Sequence, residues 1–300
     1  MINYIYAGSD SVAATVLEGL IPIRKPEMVI TRQDAQVGRK RELRETVVAE
    51  LAREHGIKVV KANDPTEALE FISDSSATRG IVVSYGAILK DQVLESLEWF
   101  NLHFSLLPKL RGAAPVQRAI LRGEFPTGVT LFKIDEGMDT GPIFSQKLVD
   151  IDDLDTHSAL QKMAESSIPL AVELLNDQNP DLSPQTGTPS HAGKLRREEC
   201  ELDFSRTAVD LLRVVRAAYP EPVAWTTHLG QPLRIIEANS NGISFPEKVD
   251  AGTVELVGGK VYVVCEDSTR LELLRVQPFS KKPMNAKDWF NGIKEARVGN

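Results

Sequence analysis

The chain has 300 residues, of which 42% are hydrophobic, and its 35 basic and 42 acidic side chains give a formal net charge of −7 at pH 7. This length and apolar content allow one large domain or two smaller ones, and we interpret the chain as two domains. The acidic balance argues against a protein that coats nucleic acid uniformly, so a polyanionic partner would require a localised basic surface.

The first half of the chain alternates short apolar runs with helical patterns, as in stacked β–α units. The N-terminal residues lack a basic region followed by a long apolar core, and no stretch reaches membrane-spanning length, so we interpret them as a first strand. Strands are predicted at residues 2–7, 28–31, 58–60, 80–84 and 99–103, with a later hairpin at 128–134 and 143–149. Helices are predicted at residues 41–55 and 117–122. Together these elements predict an α/β domain with a mainly parallel sheet.

The second half begins with a predicted helix that Asp155 or Thr156 caps and that ends near residue 175. Residues 176–189 are dense in turn-forming residues, which is typical of an exposed linker. The predicted domains are therefore residues 1–178 and 194–300, joined by a linker over 179–193. In the second domain a helix at 208–218 precedes strands at 224–229, 232–238, 252–256, 260–266 and 270–278. Several short strands after one helix predict a small β-barrel of the oligonucleotide-binding (OB) kind.

Two polar clusters stand out in the predicted α/β domain. They are residues 101–108 (Asn-Leu-His-Phe-Ser-Leu-Leu-Pro) and residues 135–141 (Asp-Glu-Gly-Met-Asp-Thr-Gly). The first cluster places Asn101 and His103 at the end of a strand, before a turn fixed by Pro108, and open sheets carry their chemistry at such strand ends. Since the two residues are two positions apart on an extended segment, their side chains point to the same side.

The side chains of Asn101, His103 and Asp139 suit the transfer of a formyl group to an amine. This reaction passes through a tetrahedral carbon whose oxygen is negatively charged, so it needs fixed hydrogen-bond donors and a proton acceptor. We expect Asn101 to orient the acyl oxygen and a protonated His103 to stabilise the oxyanion. Asp139 would hold the imidazole charged or relay the amine proton through a water. Each of these residues, taken alone, could instead have a structural role and only form hydrogen bonds with backbone groups of a loop. The occurrence of all three together favours catalysis.

The same residues carry a resemblance to a known family. Residues 101–108, Arg-Gly-Ala-Ala-Pro-Val-Gln at 111–117, Gly-Val-Thr at 128–130 and residues 135–141 resemble the formyltransferases that use 10-formyltetrahydrofolate. The likeness covers nearly the whole chain. Gly-Ala-Ala-Pro at 112–115 favours the branch whose formyl acceptor is methionyl-initiator tRNA over the branch that formylates sugar nucleotides.

This resemblance implies a Rossmann-like formyltransferase domain followed by an OB-like domain that binds tRNA. It places the catalytic Asn, His and Asp of the family on Asn101, His103 and Asp139. It also implies folate contacts on two segments, at Ser105, Leu106, Leu107, Pro108, Tyr85, Gly86 and Ile88. The implied partners are 10-formyltetrahydrofolate as formyl donor and methionyl-initiator tRNA as acceptor. We expect a monomeric cytoplasmic enzyme of translation initiation, with no membrane partner and no catalytic metal.

Recognition of a tRNA acceptor end requires positive charge, and two stretches supply it. Arg39, Lys40 and Arg41 occupy the position of the family's basic loop, where Arg side chains can contact phosphates and base edges. The alternative is that residues 40–44 are the solvated start of an amphipathic helix. The second basic group lies in the predicted second domain and comprises Arg196, Arg197, Arg213 and Arg216. The last two are three positions apart on a helix and share a face, which could equally be a solvated surface.

The chain departs from the family pattern at three places. Ser9-Asp10-Ser11-Val12 replaces a loop that usually reads Thr-Pro-acidic-Phe, Leu110 replaces an aromatic residue, and Glu221 stands where a Trp is expected. Cys200 and Cys265 are far apart without Cys-x-x-Cys spacing, so they indicate neither a disulfide framework nor a zinc site.

Two alternative functions remain open. One is formylation of a sugar-nucleotide amine, and the other is a catalytically idle protein that binds folate or RNA.

Overall fold

A computed structural model describes residues 2–38, 41–240 and 249–299. The chain divides into two compact units. The first unit comprises Met1–Pro115, Pro126–Asp150 and Leu160–Ala192. The second comprises Val116–Phe125, Ile151–Ala159 and Gly193–Asn300. Within the described ranges, no helix is both long enough and apolar enough to cross a membrane.

The helices of the described residues are α1 (Ser11–Leu20), α2 (Val47–Glu54), α3 (Leu69–Ser73), α4 (Asp91–Leu94), α5 (Pro115–Arg122), α6 (Thr156–Asn176), α7 (Ala208–Ala218) and α8 (Ala286–Gly292). The strands are β1 (Tyr4–Gly8), β2 (Met28–Thr31), β3 (Ala35–Val37), β4 (Glu42–Arg44), β5 (Lys58–Lys61), β6 (Arg79–Val83), β7 (Glu98–His103), β8 (Thr127–Lys133), β9 (Ile143–Val149), β10 (Ala224–His228), β11 (Gln231–Asn239), β12 (Val254–Val257), β13 (Lys260–Val264), β14 (Arg270–Pro278) and β15 (Met284–Asn285).

The first unit is built on a sheet with the strand order β5-β2-β1-β6-β7-β8-β9. The strands from β5 to β7 in this order are parallel, and the hairpin of β8 and β9 extends the sheet in antiparallel fashion. Strands β1 and β6 are buried along their whole length, as expected of strands covered on both faces. The predicted α/β class, the mainly parallel sheet and the late hairpin are confirmed.

The turn from β1 into α1 depends on a glycine. A Cβ atom at Gly8 would lie only 2.6 Å from the Cβ of Ala13, so a larger residue would push the helix away from the strand. Asp10 caps α1 by accepting a hydrogen bond from the Ala13 amide at 3.0 Å. The helix then buries a stripe that includes Val16 and Leu20 against the sheet.

The prediction of a helix over residues 41–55 is wrong for its first part. Strands β3 and β4 form an antiparallel hairpin there, and α2 begins only at Val47. Thr46 causes the late start, because its backbone is extended and its side chain accepts a hydrogen bond from the Ala49 amide at 3.1 Å. Residues 42–44 are all exposed, so no buried stripe favours a helix before that cap.

The second unit contains an antiparallel sheet with the order β10-β11-β14-β13-β12, and β15 pairs with β14. Helices α7 and α8 bury apolar side chains on the same core as this sheet, among them Leu211 and Trp289. Cys200 and Cys265 are both buried in this core, and burial raises the pKa of their thiols to about 11 and about 12. The prediction of several short strands after one helix is confirmed.

The C-terminal residues connect the two outer strands of this second sheet. The Val254 amide, at the start of β12, donates a hydrogen bond to the Ala296 carbonyl at 2.8 Å. The Gly299 amide donates to the carbonyl of Thr227 on β10 at 2.9 Å. Residues 296–299 therefore form backbone hydrogen bonds with both outer strands, β10 and β12. Closed small β-barrels protect their strand edges in a similar way.

A buried arginine joins the first sheet to the end of α6. Arg79 on β6 is 2% exposed, and its guanidinium donates to the backbone carbonyls of Leu174, Asp177 and Gln178. The carboxylate of Glu98 lies 3.6 Å from its Nε atom. Carbonyls at a helix C-terminus have no partner within the helix, so the cation satisfies them and also complements the negative end of the helix dipole.

We expect Arg79→Met to lower the free energy of unfolding by about 3 kcal/mol, because it leaves buried carbonyls without a donor. Urea denaturation measures the difference. The matched control is Arg53→Met, since the Arg53 side chain is 58% exposed and pairs with Glu45 near the surface. A change below about 1 kcal/mol for Arg79→Met, comparable with an ordinary surface substitution, would contradict this role.

Candidate active site

Strand β7 presents Asn101 and His103 on one face of the first sheet. Asn101 lies opposite Val82 of β6 and Phe132 of β8, and His103 ends the strand opposite Thr130. Alternation along the strand directs both side chains to the same side. Asn101 is half-buried, whereas His103 is 5% exposed. The predicted position of these residues at the end of a strand is therefore confirmed.

Each nitrogen of the His103 ring faces a hydrogen-bond acceptor. Nε2 lies 2.9 Å from the backbone carbonyl of Leu110, and Nδ1 lies 3.7 Å from the Oδ2 atom of Asp139. The ring also stands edge-on to Phe132, with centroids 6.5 Å apart. Since a carbonyl can only accept, we assign the proton of the neutral ring to Nε2, and the Nδ1 lone pair then faces Asp139.

Burial governs the charge of this imidazole. Burial lowers the pKa of His103, and the smaller opposing effects of the Asp139 charge and the Leu110 carbonyl do not restore it. In place of the protonated His103 expected from the sequence, the free protein therefore has a neutral ring near pH 7, and Nδ1 is available as a base rather than as an oxyanion donor. A proton that reaches Nδ1 comes under the direct influence of the Asp139 carboxylate. The site can thus accept a proton and hold it.

Asp139 lies in the loop between β8 and β9 with a left-handed backbone, φ 54°. Within this loop the carboxylate of Asp135 accepts from the Gly137 amide at 3.1 Å and from the Thr140 hydroxyl at 2.6 Å. The Gly112 amide donates to Oδ2 of Asp139 at 2.7 Å, so the atom that faces His103 is also anchored. The structure thus brings together His103 and Asp139 from the two clusters identified in the sequence.

The predicted folate loop over 105–108 follows β7 and is held by buried polar groups. The Thr130 hydroxyl donates to the Ser105 carbonyl at 2.6 Å and accepts from the Leu107 amide at 3.1 Å. The Gln146 amide donates to the Leu107 carbonyl at 3.0 Å. The Ser105 hydroxyl is itself used within the loop, where it donates to the Lys109 carbonyl at 2.6 Å. Ser105, Leu107 and Pro108 are buried and Leu106 is half-buried, so this loop is a rigid wall.

The second predicted folate segment follows β6. Tyr85 is buried, its hydroxyl donates to the Ala62 carbonyl at 2.8 Å, and its own carbonyl accepts from the Ser9 hydroxyl at 3.0 Å. Arg32 donates to the carbonyl of Gly86 at 2.7 Å. Gly86 has φ 80° and open space where a side chain would begin, and Ile88 is 76% exposed. An exposed apolar side chain beside a glycine forms a surface that can accept a flat ring system.

Residues outside the predicted set also reach the His103 and Asp139 pair. The Arg111 amide donates to the Ser190 carbonyl at 2.8 Å, and the Ala192 amide donates back to the Arg111 carbonyl at 2.7 Å. The side chain of Gln185 contacts the Asp139 loop. These contacts come from the segment over 179–193, which the sequence predicts to be a linker. Its composition indicates turns and gives no signal of a partner distant in sequence.

The predicted basic loop is only partly described. Arg39 and Lys40 lie outside the described residues. Arg41 is exposed, with φ 51°, in the connection between β3 and β4. The alternative interpretation of residues 40–44 as the start of a helix is wrong for Glu42–Arg44, which form β4.

The second basic group is divided between two places in the second unit. The Arg196 side chain is 79% exposed, and Arg197 is exposed with its guanidinium 5.1 Å from the Trp225 ring centroid. Arg213 and Arg216 instead line a cavity of about 270 Å³ beside α7. They pair with Asp210 at 3.4 Å and Asp153 at 3.5 Å, respectively. Arg196 also lies 3.6 Å from a Glu199 carboxylate oxygen. Arg196 and Arg197 are nevertheless more accessible to an anionic ligand than Arg213 and Arg216, whose side chains are only 39% and 24% exposed.

No group of three or more His, Cys, Asp or Glu side chains in the described ranges is placed to hold a metal ion.

Two family models match the chain. The model described as formyl transferase matches residues 10–169, and the model described as formyl transferase, C-terminal domain, matches residues 194–294. The chain is 36% identical over 305 residues to a methionyl-tRNA formyltransferase from Streptomyces coelicolor, covering 98% of this chain and 97% of the relative. It is 37% identical over 301 residues to the enzyme of the same name from Renibacterium salmoninarum, covering 97% of each.

The fold is also similar to that of solved structures. One is an N-formyltransferase from Helicobacter canadensis in complex with folinic acid and dTDP-3-aminofucose, with a TM-score of 0.67 and 21% identity. The match covers 93% of this chain and 100% of that one. At this identity the likeness concerns the fold alone.

The environment of His103 gives a prediction that needs no substrate. We expect its imidazole to titrate below the ordinary value of about 6.5, and Asp139→Asn to lower the pKa further because the carboxylate charge that favours the imidazolium is removed. Histidine NMR titration measures both values, with the His103 signal assigned by its absence in His103→Gln. A pKa that is unchanged or raised in Asp139→Asn would show that the carboxylate does not act on the ring.

Proposed function

Because the chain belongs to the formyl transferase family, we propose that it transfers the formyl group of 10-formyltetrahydrofolate to the α-amine of methionyl-initiator tRNA, giving N-formylmethionyl-tRNA for translation initiation. Relatives named methionyl-tRNA formyltransferase match along nearly the whole chain, through both units, and support this acceptor. The observation that carries the chemistry is the approach of Asp139 to the buried His103, with Asn101 two residues earlier on the same strand face.

The proposed roles follow from the proton-binding capacity of each side chain. The bound donor supplies a formyl carbon that is open to attack by a neutral amine. Asn101 donates its side-chain N–H to the formyl oxygen and stabilises the negative charge that forms there as the new C–N bond is made. His103 accepts at Nδ1 the proton that the attacking nitrogen must lose, and Asp139 stabilises the resulting imidazolium.

The same pair completes the reaction. When the tetrahedral carbon collapses, the bond to the donor nitrogen breaks, and that nitrogen needs one proton. The His103 imidazolium can return the proton it received, directly or through a water, so protons and charge balance over one cycle. A histidine whose pKa is lowered by burial gives up the proton readily, which suits a group that must act first as base and then as acid.

We propose that the donor lies between the 105–108 loop and the segment at 85–88. Ser105, Leu106, Leu107 and Pro108 would form the rigid wall beside His103. On the other segment, Gly86 leaves open space and Ile88 offers an exposed apolar side chain. Tyr85 would contribute backbone rather than its hydroxyl, since that hydroxyl is bonded to Ala62. These features fit a flat ring system with polar edges.

For the tRNA we propose the exposed cations as phosphate contacts. Arg196 and Arg197 are the leading candidates because their side chains are exposed. Arg213 and Arg216 would have to exchange their aspartate partners for phosphate, so we propose a smaller contribution from them. Arg41, and with it Arg39 and Lys40, remain proposed contacts to the acceptor stem. A monomeric enzyme in the cytoplasm, where translation takes place, completes the proposal.

We expect formyl transfer only to methionyl-initiator tRNA when 10-formyltetrahydrofolate is supplied together with charged tRNA, free methionine and an amino-sugar nucleotide, with the products read by mass spectrometry. His103→Ala should lower kcat by about 100-fold or more, because it removes the proton acceptor. His157→Ala, a matched change at an exposed position on α6, should leave the rate unchanged.

Other outcomes of this experiment have distinct meanings. Formylation of the sugar nucleotide would assign the chain to the sugar branch of the family. Absence of transfer to every acceptor would favour a protein that only binds folate or RNA. Near-full activity of His103→Ala would contradict the proposed role of the imidazole while leaving the choice of acceptor intact.

The double variant Arg196→Gln, Arg197→Gln should weaken binding of methionyl-tRNA and reduce the slope of log affinity against log salt by roughly 1 to 2, since each phosphate contact releases about one counterion. Filter binding at several salt concentrations measures this slope. Arg53→Gln is the control for loss of an exposed arginine from the first unit. If Arg213→Gln, Arg216→Gln reduces the slope more than the first double variant, the order of importance proposed above is wrong.

A further inference from the structure

The side-chain amide of Gln185 forms hydrogen bonds with the loop that carries Asp139 and with Arg111. Its Nε2 atom donates to the backbone carbonyl of Asp139 at 2.9 Å and to that of Gly141 at 2.8 Å. Its Oε1 atom accepts from Arg111, at 2.6 Å from Nη2 and 3.2 Å from Nε. Both amide hydrogens and the carbonyl oxygen are therefore occupied, and the half-buried side chain has one defined orientation.

The position of Arg111 makes this contact relevant to the chemistry. Its neighbour Leu110 supplies the carbonyl that His103 contacts through Nε2, and its other neighbour Gly112 supplies the amide that binds Oδ2 of Asp139. Arg111 thus sits between the two backbone groups that touch the proposed catalytic pair. Through Gln185 its side chain is also connected to the backbone of Asp139.

The hydrogen bonds form a closed circuit. It runs from the Asp139 carboxylate to the Gly112 amide, along the chain to Arg111, through the Arg111 guanidinium to Gln185, and back to the Asp139 carbonyl. Such a circuit fixes the backbone and the carboxylate of one residue at the same time. Asp139 needs this support, because its left-handed backbone costs of order 1 kcal/mol for a residue with a side chain.

The segment that carries Gln185 is itself attached to the same turn. The Leu110 amide donates to the Ser190 hydroxyl at 2.9 Å, and the Arg111 amide donates to the Ser190 carbonyl at 2.8 Å. On the other side, Ser183 exchanges two backbone hydrogen bonds with Ile143 at the start of β9. Gln185 is therefore held between two anchored points and is not part of a free loop.

We propose that Gln185 is a positioning residue for the transfer reaction, which sets the distance between the Asp139 carboxylate and the His103 ring. The inference rests on the proposed function of that pair. Gln185 does not need to touch either substrate, because it acts through the backbone of Asp139. Displacement of a catalytic group by about 1 Å can lower a rate by about 100-fold, so a contact of this kind affects turnover more than binding.

The decisive variant is Gln185→Glu. It keeps the size of the side chain and the acceptor for Arg111, but places a carboxylate oxygen opposite two carbonyls that have lost their donor. We expect kcat to fall about tenfold or more, while KM for the folate donor and for methionyl-tRNA changes less than about twofold. Gln185→Ala removes both contacts and should have an effect at least as large. Thr188→Ala, an exposed neighbour in the same segment, should behave like the unaltered protein.

A second measurement does not depend on activity. In Gln185→Ala, which adds no charge of its own, the carboxylate of Asp139 should recede from the ring, and the pKa of His103 followed by NMR should fall, as in Asp139→Asn. If the unaltered protein fails to formylate methionyl-tRNA but this pKa still falls, the proposed function is wrong and the positioning role stands. The positioning role is overturned if both Gln185 variants keep kcat within about threefold and leave the His103 titration unchanged. It is also overturned if the fall in kcat equals the fall in the fraction of folded protein that a thermal melt gives at the assay temperature.

Discussion

A buried imidazole held between two acceptors is the interaction on which the rest of this site depends. His103 places one nitrogen 2.9 Å from the Leu110 carbonyl and the other 3.7 Å from the Asp139 carboxylate, in surroundings that disfavour a permanent charge. The ring is neutral until it receives a proton, and the carboxylate then stabilises the charged form. Because the two acceptors belong to different loops, the chemistry requires that both loops be fixed relative to the end of β7.

The antiparallel hairpin of β8 and β9 accomplishes much of this fixing. Thr130 on β8 and Gln146 on β9 hold the loop at 105–108 through buried hydrogen bonds, and the connection between the same two strands carries Asp139. One hairpin therefore supports the proposed donor wall and the carboxylate that is proposed to stabilise the His103 imidazolium. Addition of this hairpin to the parallel sheet is thus a functional feature of the fold as well as an architectural one.

The net negative charge of the chain is compatible with an anionic substrate, because binding of an anion depends on the basic side chains at the binding surface rather than on the total charge. Several arginines serve internal purposes. Arg79 satisfies the carbonyls at the end of α6, and Arg111 supports Gln185, so neither is available to a phosphate. Arg197 differs from these two because its side chain is exposed, although its guanidinium lies over the Trp225 ring. A count of basic residues along the sequence does not make that distinction.

The fold class, most strands of both units and the residue types of the proposed catalytic set can be predicted from the amino-acid sequence, because apolar periodicity and strand-end polar clusters are local signals. The sequence did not place the start of α2, where the cap at Thr46 outweighs the helical composition of residues 41–45. It also gave no indication of Gln185, whose partners lie 44 to 74 positions away. Long-range packing sets which backbone carbonyls that amide contacts and how close Asp139 lies to His103. The environment that lowers the pKa of the imidazole likewise arises only when distant segments pack together and exclude water.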